Sequence, residues 1–321
     1  MSWIALVLTL LLEQARALPA HNAVYAAITR WSDRVSAQCN AGRPRHGVYG
    51  WLMVAGLGAL IALTLFESLR AINWLLALVL DVAVLYFSLG FRQFSHPITQ
   101  VQAALQSGNA DEARRVFLQW RRSIDPGFEA DDLSESEIAR LCIEWGTLSA
   151  HRHVFGVFFW FLMLPGPSGA VLYRLSEYLC RHWGEDRVAR QAGMEPDHFG
   201  QFAQQAFAVI DWLPVRLSAI GFAIVGDFEG ALHCWRNLAI ESRPSVAQDR
   251  LVLLAAAGGA IGVRVLSSVD SAKYLDVTIQ ESVGLTEPTP DSVRSGVGLA
   301  WRAMVLWLVL LLMLSISHVV A

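Results

Sequence analysis

A chain of 321 residues that is 54% hydrophobic and 17% charged, with a mean hydropathy of +0.40, is too apolar for an ordinary soluble domain of this length. Its formal net charge of −3 leaves no basic footprint for nucleic acid. Cys39, Cys142, Cys180 and Cys234 are widely separated and form no Cys-x-x-Cys pattern, which argues against a disulfide framework and a zinc site and reads as buried apolar residues or free thiols.

The apolar run at residues 3–12 has no Lys or Arg before it and continues into Glu13-Gln-Ala-Arg16, so it reads as a short or half-buried membrane helix rather than a signal-peptide core. Residues 12–47 carry Arg16, Arg30, Arg34, Arg43 and Arg45 against Glu13 and Asp33, which places this connection on the cytoplasmic side. Residues 48–66, free of charge, and 71–91, with Asp81 as an intramembrane acid, each approach the ~20 residues that cross about 30 Å of hydrocarbon. The turn at 67–70 is then external, and Arg92 onward internal. Pro97 biases His96 away from helix and predicts a boundary there. Arg92 and His96 are either headgroup-level exit residues or the lining of a cavity in which the Arg92 fork binds an anion.

A soluble insertion of amphipathic helices follows at 100–146. Residues 99–105 and 110–120 show helical periodicity around the break Ser107-Gly-Asn109. Ser134 and Glu137 form a capping box that opens the next helix. In His151-Arg-His153, two imidazoles at i and i+2 chelate poorly on a helix; they anchor a membrane segment or, in an extended turn, share a metal. The apolar stretch 154–173 contains Pro165-Gly-Pro-Ser-Gly169, which breaks a helix and leaves a re-entrant hairpin or a full crossing. Arg174 and Glu177 are spaced for an i,i+3 pair.

Residues 206–226 form another apolar run, with Asp211 and Arg216 inside it. A charge at bilayer depth costs roughly 2.5–3.5 kcal/mol, so these two are either near the ends of a tilted helix or part of a polar site within the membrane domain. Five residues place them about 140° apart on an ideal helix, although Pro214 can kink it. The Ala/Gly-rich piece 251–265 is suited to tight packing. Residues 267–298 read as a polar loop or short helices before a terminal span at 299–321.

The predicted fold is an all-α polytopic integral membrane helical bundle with kinked or re-entrant helices and a cytoplasmic helical insertion. Its divisions are 1–98 (membrane helices), 99–146 (soluble insertion) and 147–321 (membrane helices with a re-entrant segment and polar loops). No phosphate loop, dinucleotide fingerprint or His-Glu-x-x-His is present, so no catalytic residue is assigned. Polar-cavity candidates are Glu13, Arg92, His96, Glu144, His151, His153, Arg174, Asp211 and Arg216, with no metal site and no cofactor expected. The expected partners are the lipid bilayer, an anionic small molecule, and either a second copy or another membrane protein; nucleic acid is not among them.

Several stretches resemble a known superfamily in its own order: Leu89-Gly-Phe-Arg-Gln-Phe-Ser-His96, Ser136-Glu-Ile-Ala-Arg140, Gly169-Ala-Val-Leu-Tyr-Arg174, Asp211-Trp-Leu-Pro-Val-Arg-Leu217 and Ala260-Ile-Gly-Val-Arg264. That superfamily holds the CobD/CbiB membrane proteins of cobalamin biosynthesis and the β-lactamase-regulation protein AmpE. The synthase branch joins an aminopropanol phosphate to a corrinoid carboxylate, consuming ATP, which implies phosphate-binding groups and Mg. Its Glu-Asn-x-x-Asp-Gly stretch falls here on Leu148-Ser-Ala-His-Arg-His-Val-Phe-Gly156, and its Gly-Arg-Asp-Thr on Arg121-Arg-Ser-Ile124. With those acids and amides replaced, the chain looks more like the AmpE branch, on the Asp211–Arg216 core, Leu12-Glu13 and Gly226-Asp-Phe-Glu-Gly-Ala-Leu-His-Cys-Trp235. The resemblance therefore implies a bacterial inner-membrane, multi-pass protein with an AmpE-like signalling or binding role linked to the envelope and the β-lactam response. The alternative is the ATP- and Mg-using amide synthase itself.

Overall fold

Apolar runs punctuated by Asn, Gly and Pro fold into helices of unequal length, and the computed structural model describes residues 2–15, 23–40, 44–124, 127–128, 133–184, 198–239, 243–275 and 284–320. Helix α1 (Ser2–Ala15) and the polar α2 (Ala23–Cys39) precede α3 (Pro44–Trp51), which continues through a π-turn (Leu52–Gly56) into α4 (Leu57–Ile72). Then come α5 (Trp74–Ser88), α6 (Phe91–Gln106), α7 (Ala110–Ile124) and α8 (Glu135–Ala150), the last running through a second π-turn (His151–Phe155) into α9 (Gly156–Met163). The remainder comprises α10 (Ser168–Gly184), α11 (His198–Val225), α12 (Phe228–Arg236), α13 (Val246–Ile261), α14 (Ser268–Tyr274) and α15 (Pro290–Val320). Among the described residues the fold is all-α; an isolated bridge joins Val263 to Thr286.

Among the described residues, three helices are long and apolar enough to cross a membrane: Arg45–Ile72, Phe199–Val225 and Pro290–Leu314. Residues 71–91 do not form the full span expected of them. Asn73 adopts an extended conformation, ends α4 and accepts a hydrogen bond from the Leu75 amide at 2.8 Å, so α5 has only 15 residues. That is about 22 Å of helix, short of about 30 Å of hydrocarbon. Residues 154–173 are likewise no single helix. Leu164 is extended, Gly166 has φ +57°, and Gly169 and Gly156 lie against Trp160 and Tyr173, so α9 and α10 form an antiparallel hairpin.

Pro97 does not end a helix as expected; it sits inside α6. Burial of Ile98, Val101 and Leu105 along that helix outweighs the lost backbone bond. The terminal helix begins at Pro290 rather than near 299, because proline suits a first helical position and Thr289 and Ser292 exchange hydrogen bonds there. Two local signals hold as read. The Ser134–Glu137 capping box opens α8, and Gly108 at φ +74° separates α6 from α7.

Helix α11 is the hub, packed by α3, α10, α13 and α15. Tight packing of the Ala/Gly-rich segment is realised where α12 crosses α13: a Cβ on Gly259 would come 2.3 Å from the Gly230 carbonyl oxygen. Leu60, Ile61, Val79, Met313 and Leu314 face outward, while Asp81, Glu144, His151, Asp211 and Asp249 are buried. An apolar exterior over a polar interior fits a lipid bilayer. The four cysteines are free thiols, and all but Cys39 are buried.

Candidate functional site

The second π-turn carries His151 into the centre of the bundle, where it is 1% exposed. Its Nε2 lies 2.9 Å from Asp211 Oδ1 and its Nδ1 2.9 Å from Ser218 Oγ. A carboxylate only accepts, so Nε2 donates to Asp211, and the ring holds Ser218 through Nδ1. Asp211 and Ser218 are seven residues apart, two turns along one face of α11, and the imidazole bridges them. Tyr173 Oη donates to the same Asp211 oxygen at 2.9 Å. It reaches there because Gly156 leaves room: a Cβ at that position would sit 2.2 Å from the Tyr173 hydroxyl.

Beside this cluster, Arg216 Nη1 donates to Asp249 Oδ1 on α13 at 2.9 Å and to the Trp212 carbonyl at 2.7 Å, with its guanidinium 4.1 Å from the Trp212 ring centre. Asp211 and Arg216 thus each find a partner on another helix. Asp249 Oδ2 is buried and takes no hydrogen bond among the described residues. The Asp249 carboxylate feels both Asp211 and His151. Two turns of α8 before His151, Glu144 receives Arg140 at 2.9 Å and Arg250 at 2.6 Å, and Arg250 continues to Asp270 at 3.2 Å. Burial disfavours the Arg250 charge, but Glu144 and Asp270 outweigh it and raise the guanidinium above its ordinary range.

On α10, Arg174 donates to Glu177 at 3.1 Å, the pair expected from spacing, and Arg181 joins the same carboxylate at 2.6 Å. His153 lies within electrostatic reach of Arg174 and Glu177. The remaining candidates lie apart. His96 is exposed on α6, and Glu13 is buried in the groove between α1 and α15, near Trp301 and Met304. The Arg92 side chain lies outside the described residues. Sequence reasoning did not single out Tyr173, Ser218, Asp249 or Arg250. The seven-residue spacings of Ser218 from Asp211 and of His151 from Glu144 were the available signals. Among the described residues, no group of three His, Cys, Asp or Glu side chains is placed to hold a metal ion.

A family profile described as "CobD/Cbib protein" matches residues 2–315. The "Cobalamin biosynthesis protein CobD" of Stutzerimonas stutzeri (strain A1501) is 29% identical over 315 residues, covering 97% of this chain and 97% of that one. The protein of the same name from Chromobacterium violaceum is 31% identical over 244 residues, covering 75% of this chain and 72% of its own. No solved structure matches. These relatives overturn the AmpE-like signalling role expected from the altered motifs: both carry names from cobalamin biosynthesis, and one aligns almost end to end. On this match along nearly its whole length, the chain belongs to the CobD/CbiB family.

Proposed function

We propose that this chain works in cobalamin biosynthesis as an ATP-consuming, amide-forming synthase, held in the bacterial inner membrane as a multi-pass protein. Its near end-to-end similarity to a protein named for that pathway supports the reading, and the buried polar centre on α11 is the observation that carries it. On this reading the ammonium form of the amine must lose a proton before its nitrogen attacks an activated carboxyl group and displaces the activating group. Asp249 Oδ2, a buried acceptor without a donor among the described residues, and the neighbouring Asp211 are the groups suited to hold an ammonium and take that proton. Both His151 nitrogens are engaged by protein atoms, so its role is to fix Asp211 and Ser218 rather than to meet substrate. The described residues do not assemble a set of metal ligands, and no step is assigned to a metal held by the protein.

The test is complementation of a corrinoid-synthase-deficient bacterium, with the corrinoid intermediates followed by mass spectrometry. Rescue by the wild-type chain, and its loss in Asp249→Asn at unchanged membrane expression, is the expected result. Accumulation of the unamidated corrinoid acid despite full expression of the wild type would sink the proposal.

A further inference from the structure

Three helices meet at the buried centre, and each pair of them is joined by a polar contact. From the end of α8, His151 bridges Asp211 and Ser218 of α11 at 2.9 Å. From α11, Arg216 donates to Asp249 of α13 at 2.9 Å. From α13, Arg250 donates back to Glu144 of α8 at 2.6 Å. The contacts close a triangle, because Asp249 and Arg250 are neighbours near the start of α13 and Glu144 precedes His151 by two turns of one continuous helix.

The side of the triangle between α13 and α8 bears on Asp249. Residues 251–260 of α13 are buried on every side of that helix, so burial of apolar surface favours no single rotation of it. The close approach of Gly259 to Gly230 fixes its far end, about 15 Å along the axis from Asp249. At the near end, successive side chains point about 100° apart, so holding Arg250 toward α8 turns Asp249 toward α11. The anchor is itself fixed: the Glu144 side chain is 4% exposed and also receives Arg140 at 2.9 Å. The remaining contact of Arg250, at 3.2 Å, is with Asp270 on α14, near the surface.

We propose that Glu144 and Arg250 are positioning residues for Asp249. Their ion pair sets the rotation of α13, and with it the place of the carboxylate that takes the proton from the amine. This rests on the synthase reading, and neither side chain touches substrate in this role.

The purified full chain in phosphatidylcholine nanodiscs is assayed for amide formation from a corrinoid acid, an aminopropanol phosphate and ATP with Mg. Arg250→Met cuts the tie and strands no charge, since Glu144 keeps Arg140 and Asp270 keeps the Ser267 hydroxyl at 2.8 Å. Misplacing a reacting group by about 1 Å costs up to about a hundredfold, so kcat per folded molecule should fall by about tenfold or more. The KM for ATP should stay at the wild-type value, because the nucleotide does not use Asp249. Arg250→Lys, which keeps a charge against Glu144, should recover most of the loss. Asp270→Asn, which loosens only the α14 contact, should turn over as wild type. Wild-type kcat in Arg250→Met, no recovery in Arg250→Lys, or an equal loss in Asp270→Asn overturns the proposal. If the wild type forms no amide, the synthase reading falls and thermal midpoints decide whether Arg250 sets Asp249. Asp249→Asn and Arg250→Met together should then lower the midpoint by less than the sum of their separate shifts; additive shifts would show two independent pairs.

Discussion

Gly169→Ala tests whether the α9–α10 hairpin is held by its close backbone contact. A methyl group at this position would lie 1.8 Å from the Trp160 carbonyl oxygen, 2.5 Å from its carbonyl carbon and 3.2 Å from Leu164 Cβ. Favourable contacts between carbon atoms begin near about 3.5 Å, so the helices would have to part by more than about 1 Å. The obstacle is backbone, and no rotamer relieves it. Overpacking costs roughly 1–3 kcal/mol, and this geometry belongs at the upper end, about 3 kcal/mol. The better helix propensity of alanine returns about 1 kcal/mol, leaving a net loss near 2 kcal/mol. The effect reaches the polar centre, because Trp160 Nε1 donates to the Ile210 carbonyl at 3.2 Å, next to Asp211. Thermal unfolding of the purified protein, followed by tryptophan fluorescence, reads it out. Gly298→Ala is the control: nothing lies within 4 Å of its Cβ position, so the same substitution should be neutral or mildly stabilising. A Gly169→Ala protein that melts at or above Gly298→Ala would refute the packing argument.

Breaking the Arg216–Asp249 pair by Asp249→Leu should cost about 3 kcal/mol, because it strands a guanidinium in a span helix. Adding Arg216→Met should recover part of that loss; strictly additive unfolding energies in the double-mutant cycle would show that the pair is not coupled. At the surface, the Arg115 hydrogen bond lowers the Glu112 carboxyl below its ordinary value of 4.5. A depressed folded value means that any stabilisation is present above about pH 4.5 and is lost as pH falls through the folded value. The pair is exposed, so Glu112→Gln should differ from wild type only slightly near neutral pH at low salt, and the difference should vanish on acidification; a gap that widened instead would reverse the sign of the argument.

Features written in neighbouring residues were legible. The Ser134–Glu137 box, the Ser107-Gly-Asn109 break and the Arg174–Glu177 pair each span a few positions, and the structure places all of them as read. The partners of the membrane charges were not, because His151, Tyr173 and Asp249 lie 60, 38 and 33 residues from the groups they bind. The packing of α11 against the second π-turn, α10 and α13 brings them together. Asn73 was missed for a different reason: hydropathy averages over a single polar residue, whereas one extended residue is enough to cut a helix. Altered motifs pulled the functional reading toward AmpE because local differences weighed more than agreement spread over 315 residues.

The π-turn at His151–Phe155 makes chain length itself a determinant of the centre. Helix runs without a break from Glu135 to Met163, and the wide turn adds an extra residue partway along it. A π-turn winds five residues through roughly the angle that four take in an α-helix, so deleting one within it would restore regular winding and keep the faces of α9, whereas a deletion in the regular helix beside it would swing everything beyond by about 100°. After that second deletion Gly156 would leave the Tyr173 ring and Trp160 would leave the Ile210 carbonyl, with no side chain on either changed. Lost spacing would thus unmake this centre more thoroughly than most substitutions, and a one-residue slip in an alignment across 151–155 would assign each downstream side chain to the wrong face.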